Sequence, residues 1–138
     1  MYYPIPVLMY HNISEEKNYT DVNVNAFHKQ MKLMKKMKYV SVNLNKMNRE
    51  NSKKKFVITF DDAYQSVHTY ALPILKELDF TATCFFACNY INKYNSWDLN
   101  TKYYQKLPIM TEKQIKELYD NDFEIGSHSL DHYNLNNL

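Results

Sequence analysis

The sequence predicts an α/β fold built on a parallel sheet, and three observations carry that prediction. Phe56 to Phe60, FVITF, is a continuous apolar run with β-branched residues, the pattern of a strand covered on both faces. Short apolar runs of this kind alternate with segments of helical spacing, which is how successive βα units read. The chain has 138 residues, 45% of them hydrophobic, enough for one domain with its own core.

Val7 to Tyr10 reads as the first strand, and residues 14–25 are polar and read as a loop. From Asn25, the residues Phe27, Met31 and Met34 recur at helical spacing, with Lys29, Lys32, Lys35 and Lys36 on other faces. The methionine stripe is expected in the core and the lysines on a solvated face. Tyr39 to Leu44 alternates as a second strand would, and residues 45–55 form a charged loop. After the third strand, 56–60, a helix should place Val67, Ala71, Ile74, Leu75 and Leu78 on one stripe. Pro73 falls inside that pattern and must kink the helix or open its second part. Phe80 to Ala87 is the next strand, and residues 89–108 are a long loop with the only tryptophan, Trp97. Thr111 and Gln114 form a T-x-x-Q capping box. The helix it opens has Ile115, Leu118 and Tyr119 as its apolar side, and Phe123 to Ser127 closes the series. The order is β-α-β-β-α-β-α-β in one domain over 1–138.

Seventeen basic residues stand against 15 acidic ones, a net charge of +2, too mild for a nucleic-acid partner. No run reaches the roughly 18 apolar residues of a membrane helix. Met1 to Ile13 carries no basic leader and no small-residue cleavage site, so it reads as an incoming strand and not as a signal peptide. On one face of a strand, Cys84 and Cys88 would lie roughly 13 Å apart at about 3.3 Å per residue. That is too far for a disulfide, and a C-x3-C zinc pair has no second pair to complete it. Free thiols are expected. The single glycine, Gly126, suggests a backbone requirement at that position.

Two motifs carry chemistry. Thr59-Phe60-Asp61-Asp62 closes a buried strand with two acids, and in parallel α/β folds the carboxyl ends of strands face the ligand crevice. Adjacent carboxylates there need a cation, a proton or solvent; the alternative is a solvated turn with Asp62 capping the next helix. In Gly126-Ser127-His128-Ser129-Leu130-Asp131-His132, the two histidines stand at i, i+4. They share a face if the segment turns helically, and two neutral imidazoles so placed can hold one metal; the alternative is a pair of loop histidines. Both motifs follow strand ends, so one fold brings them to one rim. Two histidines and a carboxylate, with positions left open, make a catalytic metal site, and the second carboxylate is left to act as a base. A phosphoacceptor site using Asp61 and Asp62 with magnesium leaves the histidines unexplained.

T-F-D-D-A-Y over 59–64, followed by E-I-G-S-H-S-L-D-H-Y-N-L over 124–135, resembles the first two motifs of the polysaccharide deacetylase family. That family is also called the NodB homology domain, or carbohydrate esterase family four. P-V-L-M-Y-H-N-I, F-x-x-Q-M, A-L-P-I-L-K-E-L, A-T-C-F-F and M-T-x-x-Q-I-K-E-L also resemble it. The resemblance implies a distorted β/α barrel of which this chain supplies the N-terminal part, since full barrels run to roughly 200–250 residues. It implies Asp61 as general base, Asp62, His128 and His132 as ligands of one divalent ion, zinc first, and Ser129 as the hydroxyl orienting the histidine loop. Tyr10 and His11, at the end of the first strand, are expected to face the same crevice, toward the substrate; the alternative for His11 is packing at the strand end. Asp131 is expected to be a loop acid, the alternative being to orient an imidazole, and His28 and His68 are expected to be structural or surface residues. Trp97 and its neighbouring tyrosines are expected to stack on sugar rings or to pack the loop.

The implied reaction removes acetyl groups from an N-acetylated glycan: poly-N-acetylglucosamine, peptidoglycan or a chitin-like polymer. The alternative is an inactive, glycan-binding remnant. Ala63 stands where the family usually has glycine. The family's later arginine-proline, aspartate-tryptophan and leucine-histidine segments, the last supplying the general acid, are not among these residues. The barrel is therefore expected to be completed by the rest of a longer gene product or by a partner chain, unless the protein is a degenerate member.

Overall fold

The computed structural model describes residues 4–15, 21–47, 54–102, 104–134 and 136. Its strands are β1 (Val7–Tyr10), β2 (Asn12–Ser14), β3 (Asp21–Asn23), β4 (Val40–Ser41), β5 (Lys55–Phe60), β6 (Thr83–Phe86) and β7 (Glu124–Ser127). The helices are α1 (Val24–Lys36), α2 (Leu72–Glu77) and α3 (Glu112–Asp120). The main sheet runs β1-β5-β6-β7, every pair parallel. β4 pairs with Lys55 and Phe56, just ahead of where β6 joins β5 at Thr59 and Phe60. The result is an open, partial β/α barrel with β1 and β7 at its two edges.

Alternation along the strands sorts the two faces. Phe56, Ile58 and Phe60 enter the helix-side core with Phe27, Met31, Leu72, Leu75 and Leu118. Val57 and Thr59 take the opposite, inner face. On β1 the same parity puts Leu8 and Tyr10 against the helices. Val7 and Met9 then point inward, where they are 49% and 60% exposed. In α1, Phe27 and Met31 are fully buried and all four lysines are exposed.

Three elements differ from the sequence reading. Residues 14–25 are not all loop: β2 and β3 pair in parallel, Asn12 opposite Asp21 and Ser14 opposite Asn23. The second strand shortens to Val40–Ser41 because side-chain hydrogen bonds take over from the ladder. Ser41 Oγ accepts from Thr81 N at 2.6 Å, and Thr83 Oγ1 from Leu44 N at 3.0 Å. Pro73 opens the second part of its helix, as its place in the pattern predicts: it sits in the first turn of α2, and a π-helical turn, Val67–Ala71, leads into it. Proline has no N–H to return to Thr69, so the preceding turn widens. The third difference is the strand expected over 80–87, which pairs only over Thr83–Phe86. The capping box of α3 forms with both arms, Gln114 N to Thr111 Oγ1 at 3.3 Å and Thr111 N to Gln114 Oε1 at 2.9 Å. Both cysteines are free thiols, Cys84 buried and Cys88 exposed. Residues 48–53 of the charged loop lie outside the described residues. Among those described, no helix is long and apolar enough to cross a membrane.

Gly126 is required for space and not for an unusual backbone angle, since its φ is not positive. It lies opposite Phe85 in register, and a Cβ there would sit 2.5 Å from Phe85 Cδ1 and 2.6 Å from Cε1. Gly126→Ala should therefore cost about 1–3 kcal/mol, the range for overpacking. Chemical denaturation of Gly126→Ala, Phe85→Ala and the double variant checks this. The double variant should recover most of the loss, and strictly additive costs would refute the clash.

Candidate metal centre

Beyond β5 the chain turns through two consecutive left-handed residues, Asp62 at φ 68° and Ala63 at φ 54°. That conformation is costly for a residue with a Cβ, and tertiary hydrogen bonds hold it. Asp61 N donates to Tyr10 O at 2.9 Å, Met110 N to Ala63 O at 3.0 Å, and Gln65 N to Pro108 O at 2.9 Å. The turn carries Asp62 into the protein, where it is 5% exposed. Position 63, where the family usually has glycine, is thus a site where glycine costs least.

Past β7, His128 N extends the ladder by donating to Phe86 O at 2.8 Å. The segment that follows is a loop and not the helical turn that the i, i+4 spacing suggests, with Ser129 at φ 67° and His132 at φ 54°. Ser129 Oγ accepts from His132 N at 3.0 Å. Cys88 N and Asn89 N donate to the carbonyls of Ser129 and Leu130 at 3.2 and 3.0 Å. Asp131 accepts from Asn89 Nδ2 at 2.5 Å, a loop-fixing contact.

These two turns bring Asp62, His128 and His132 together, one ligand atom of each lying within 4.8 Å of the others. His132 Nε2 stands 2.9 Å and His128 Nε2 3.4 Å from Asp62 Oδ1. At 2.9 Å the first contact is short enough for a hydrogen bond, yet Oδ1 is buried without an aligned donor. Asp62 raises the pKa of His132 above the ordinary imidazole value, with burial opposing. Lone pairs of three groups converging on one space need a shared cation or proton. A carboxylate oxygen with two imidazole nitrogens is a donor set suited to zinc and similar divalent ions. The residues therefore fit a metal.

Asp61, next to Asp62 in sequence, is half-buried just past β5, and its carboxylate is not among the converging groups. His11, half-buried just past β1, does not join them either. The expectation that Tyr10 faces the crevice is corrected. It is 8% exposed on the helix side of β1, its hydroxyl donating to Gln30 Oε1 at 2.8 Å. Its ring meets Phe27 edge-on at 5.1 Å and Phe60 at 5.8 Å, and burial raises its pKa to about 12. Strand parity decides this: residue 10 shares its face with Leu8. His28 and His68 face acids on neighbouring helices, Glu77 at 3.6 Å and Glu117 at 2.9 Å.

The contact that sequence reasoning did not single out is that of Trp97, whose ring stacks on His132 at 4.7 Å and 26°. A long loop gives no periodic signal, and the sole tryptophan was the only hint.

Residues 48–138 match the family model for polysaccharide deacetylase, and the chain belongs to the polysaccharide deacetylase family. YxkH of Bacillus subtilis (strain 168) is 31% identical over 140 residues, 97% of this chain and 45% of that protein. The poly-beta-1,6-N-acetyl-D-glucosamine N-deacetylase of Staphylococcus epidermidis is 34% identical over 76 residues, 53% of this chain and 24% of that enzyme. The structure of IcaB from Ammonifex degensii superposes with a TM-score of 0.80 at 20% identity, covering 94% of this chain and 55% of that one, a likeness of fold. The chain spans less than half the length of these curated relatives.

Proposed function

We propose that this chain is the metal-holding part of an enzyme that hydrolyses N-acetyl groups on a polysaccharide. The observation that carries the reading is the convergence of Asp62, His128 and His132 at the carboxyl ends of two parallel strands. Asp62 and the two imidazoles hold the ion, zinc in the first instance. A divalent ion so held supplies a Lewis acid that lowers the pKa of water and polarises an amide carbonyl. Asp61 then takes a proton from the attacking water. The water oxygen bonds to the acetyl carbon, the carbon–nitrogen bond breaks, and acetate and a free amino sugar leave, the proton ending on the amine. The relatives named for poly-β-1,6-N-acetyl-D-glucosamine make that polymer the first substrate to try, with peptidoglycan and chitin-like glycans next. His11, at the mouth of the same strand ends, is assigned to the substrate side and Ser129 to holding the His132 backbone. The rest of the barrel, from a longer chain or a partner, covers the exposed inner face at Val7 and Met9.

Acetate release from oligomers of these three glycans tests the reaction, with Asp61→Asn as the diagnostic variant. It should keep its metal and lose turnover by about 10²–10⁴-fold, the worth of a general base. Undiminished turnover would refute the role of Asp61. Metal bound with no acetate released from any of the three would favour a glycan-binding remnant.

A further inference from the structure

The ring of Trp97 lies nearly parallel to His132, at 4.7 Å between centroids and 26° between planes. Two tyrosines also pack against this ring. Tyr90 meets it edge-on at 4.7 Å and 81°, and Tyr64 lies 6.3 Å away. The loop that presents it is pinned by Asn95, 3% exposed. The Asn95 amide donates to Gln105 O at 3.0 Å, its oxygen accepts from Leu107 N at 2.8 Å, and its own N–H reaches Leu107 O at 3.1 Å. The returning end of the loop bonds directly to the turn that bears Asp62, through Met110 N to Ala63 O and Gln65 N to Pro108 O. The indole and the Asp62 carboxylate therefore sit on one hydrogen-bonded unit. His132 approaches that unit from a separate loop, on a left-handed backbone.

A metal ligand must be held at a fixed ring angle, and the groups around it set solvent access and dielectric. Aromatic stacking supplies such a restraint at the cost of few rotatable bonds. We infer that Trp97 is a positioning residue for the metal centre: its indole sets the angle at which His132 Nε2 meets Asp62 and His128, and closes one side of the site to water. This also assigns the face of Trp97 toward His132 to the protein itself and not to a sugar ring. The inference rests on the metal reading proposed above.

The test is competitive zinc titration of the 138-residue chain against a chromophoric chelator, with cobalt(II) absorption as the second readout. Trp97→Ala should bind zinc about 10–100-fold more weakly, the usual loss when a group supporting a ligand is removed, and its cobalt spectrum should shift. Trp97→Phe, which keeps a stacking face, should recover most of both. Zinc affinity of Trp97→Ala within twofold of the parent, with the parent loaded, would overturn the role of Trp97 while leaving the metal site standing. A Trp97→Phe variant as weak as Trp97→Ala would overturn the stacking argument even if the alanine variant is partly unfolded. A parent chain that binds no divalent ion would overturn the metal reading and this inference with it.

Discussion

Asp62→Ala is expected to strip the divalent ion from the protein and leave the fold in place. The carboxylate is one of three converging ligands and the only anionic one, so its loss removes charge as well as coordination. Supporting residues around metal ligands are worth about 10–100-fold in affinity, and a ligand should be worth more than the upper figure. Inductively coupled plasma measurement should give near one ion per parent chain and background in the variant. The fold should survive because a buried carboxylate with no aligned donor on Oδ1 is itself a desolvation cost in the metal-free protein. Asp62→Asn separates the two effects. It keeps the shape and tolerates the positive φ, so it should unfold like the metal-free parent and gain little from added zinc. The parent should gain about 2.7 kcal/mol at a free zinc concentration one hundred times its Kd. Equal metal content in parent and Asp62→Ala would remove the site.

The parallel framework was legible because burial on both faces leaves a sequence mark. FVITF has one polar position, Thr59, among four apolar ones, and β5 is buried along its whole length. Phe27 and Met31 were legible for the matching reason, that one face of a helix must meet the sheet. The capping box was legible because it is wholly local. What stayed hidden depends on partners distant in sequence. Nothing within residues 12–23 announces that Asn12–Ser14 will pair with Asp21–Asn23. The shortening of the strand at Val40–Ser41 depends on Thr81 and Thr83, some forty residues on.

The candidate site divides the same way. Asp62, His128 and His132 could be assembled from the two motifs because both follow strand ends of one sheet. The means of assembly could not be read. Spacing of i, i+4 suggested a helical turn, whereas the histidines converge through a loop with two left-handed residues. Tyr10 shows the limit of reasoning from proximity in sequence. It adjoins a strand end yet points to the helices, because parity along the strand, and not nearness to the rim, decides which face a side chain takes.

Phe27→Ala tests the layer beneath the site. Phe27 is fully buried, with its ring 5.1 Å from Tyr10 and 5.9 Å from Phe60. Those neighbours end β1 and β5, and Tyr10 O accepts the Asp61 N–H, so the aromatic trio anchors the strand ends that carry the site. Phenylalanine truncation in a core costs about 3–5 kcal/mol, against a total of about 5–15 kcal/mol for a domain. Urea denaturation should show a loss of that size, with zinc recovering only part of it. Leu33→Ala, on the same helix at 55% exposure, should cost no more than about 0.5 kcal/mol. Met9→Ala completes the comparison. At 60% exposure on the inner face it should also be nearly silent in this chain, since few contacts are lost. A Met9→Ala cost approaching that of Phe27→Ala would mean that the inner face is covered in solution, and the open half-barrel would then have to be replaced by an assembly in which the two faces of β1 are equally buried.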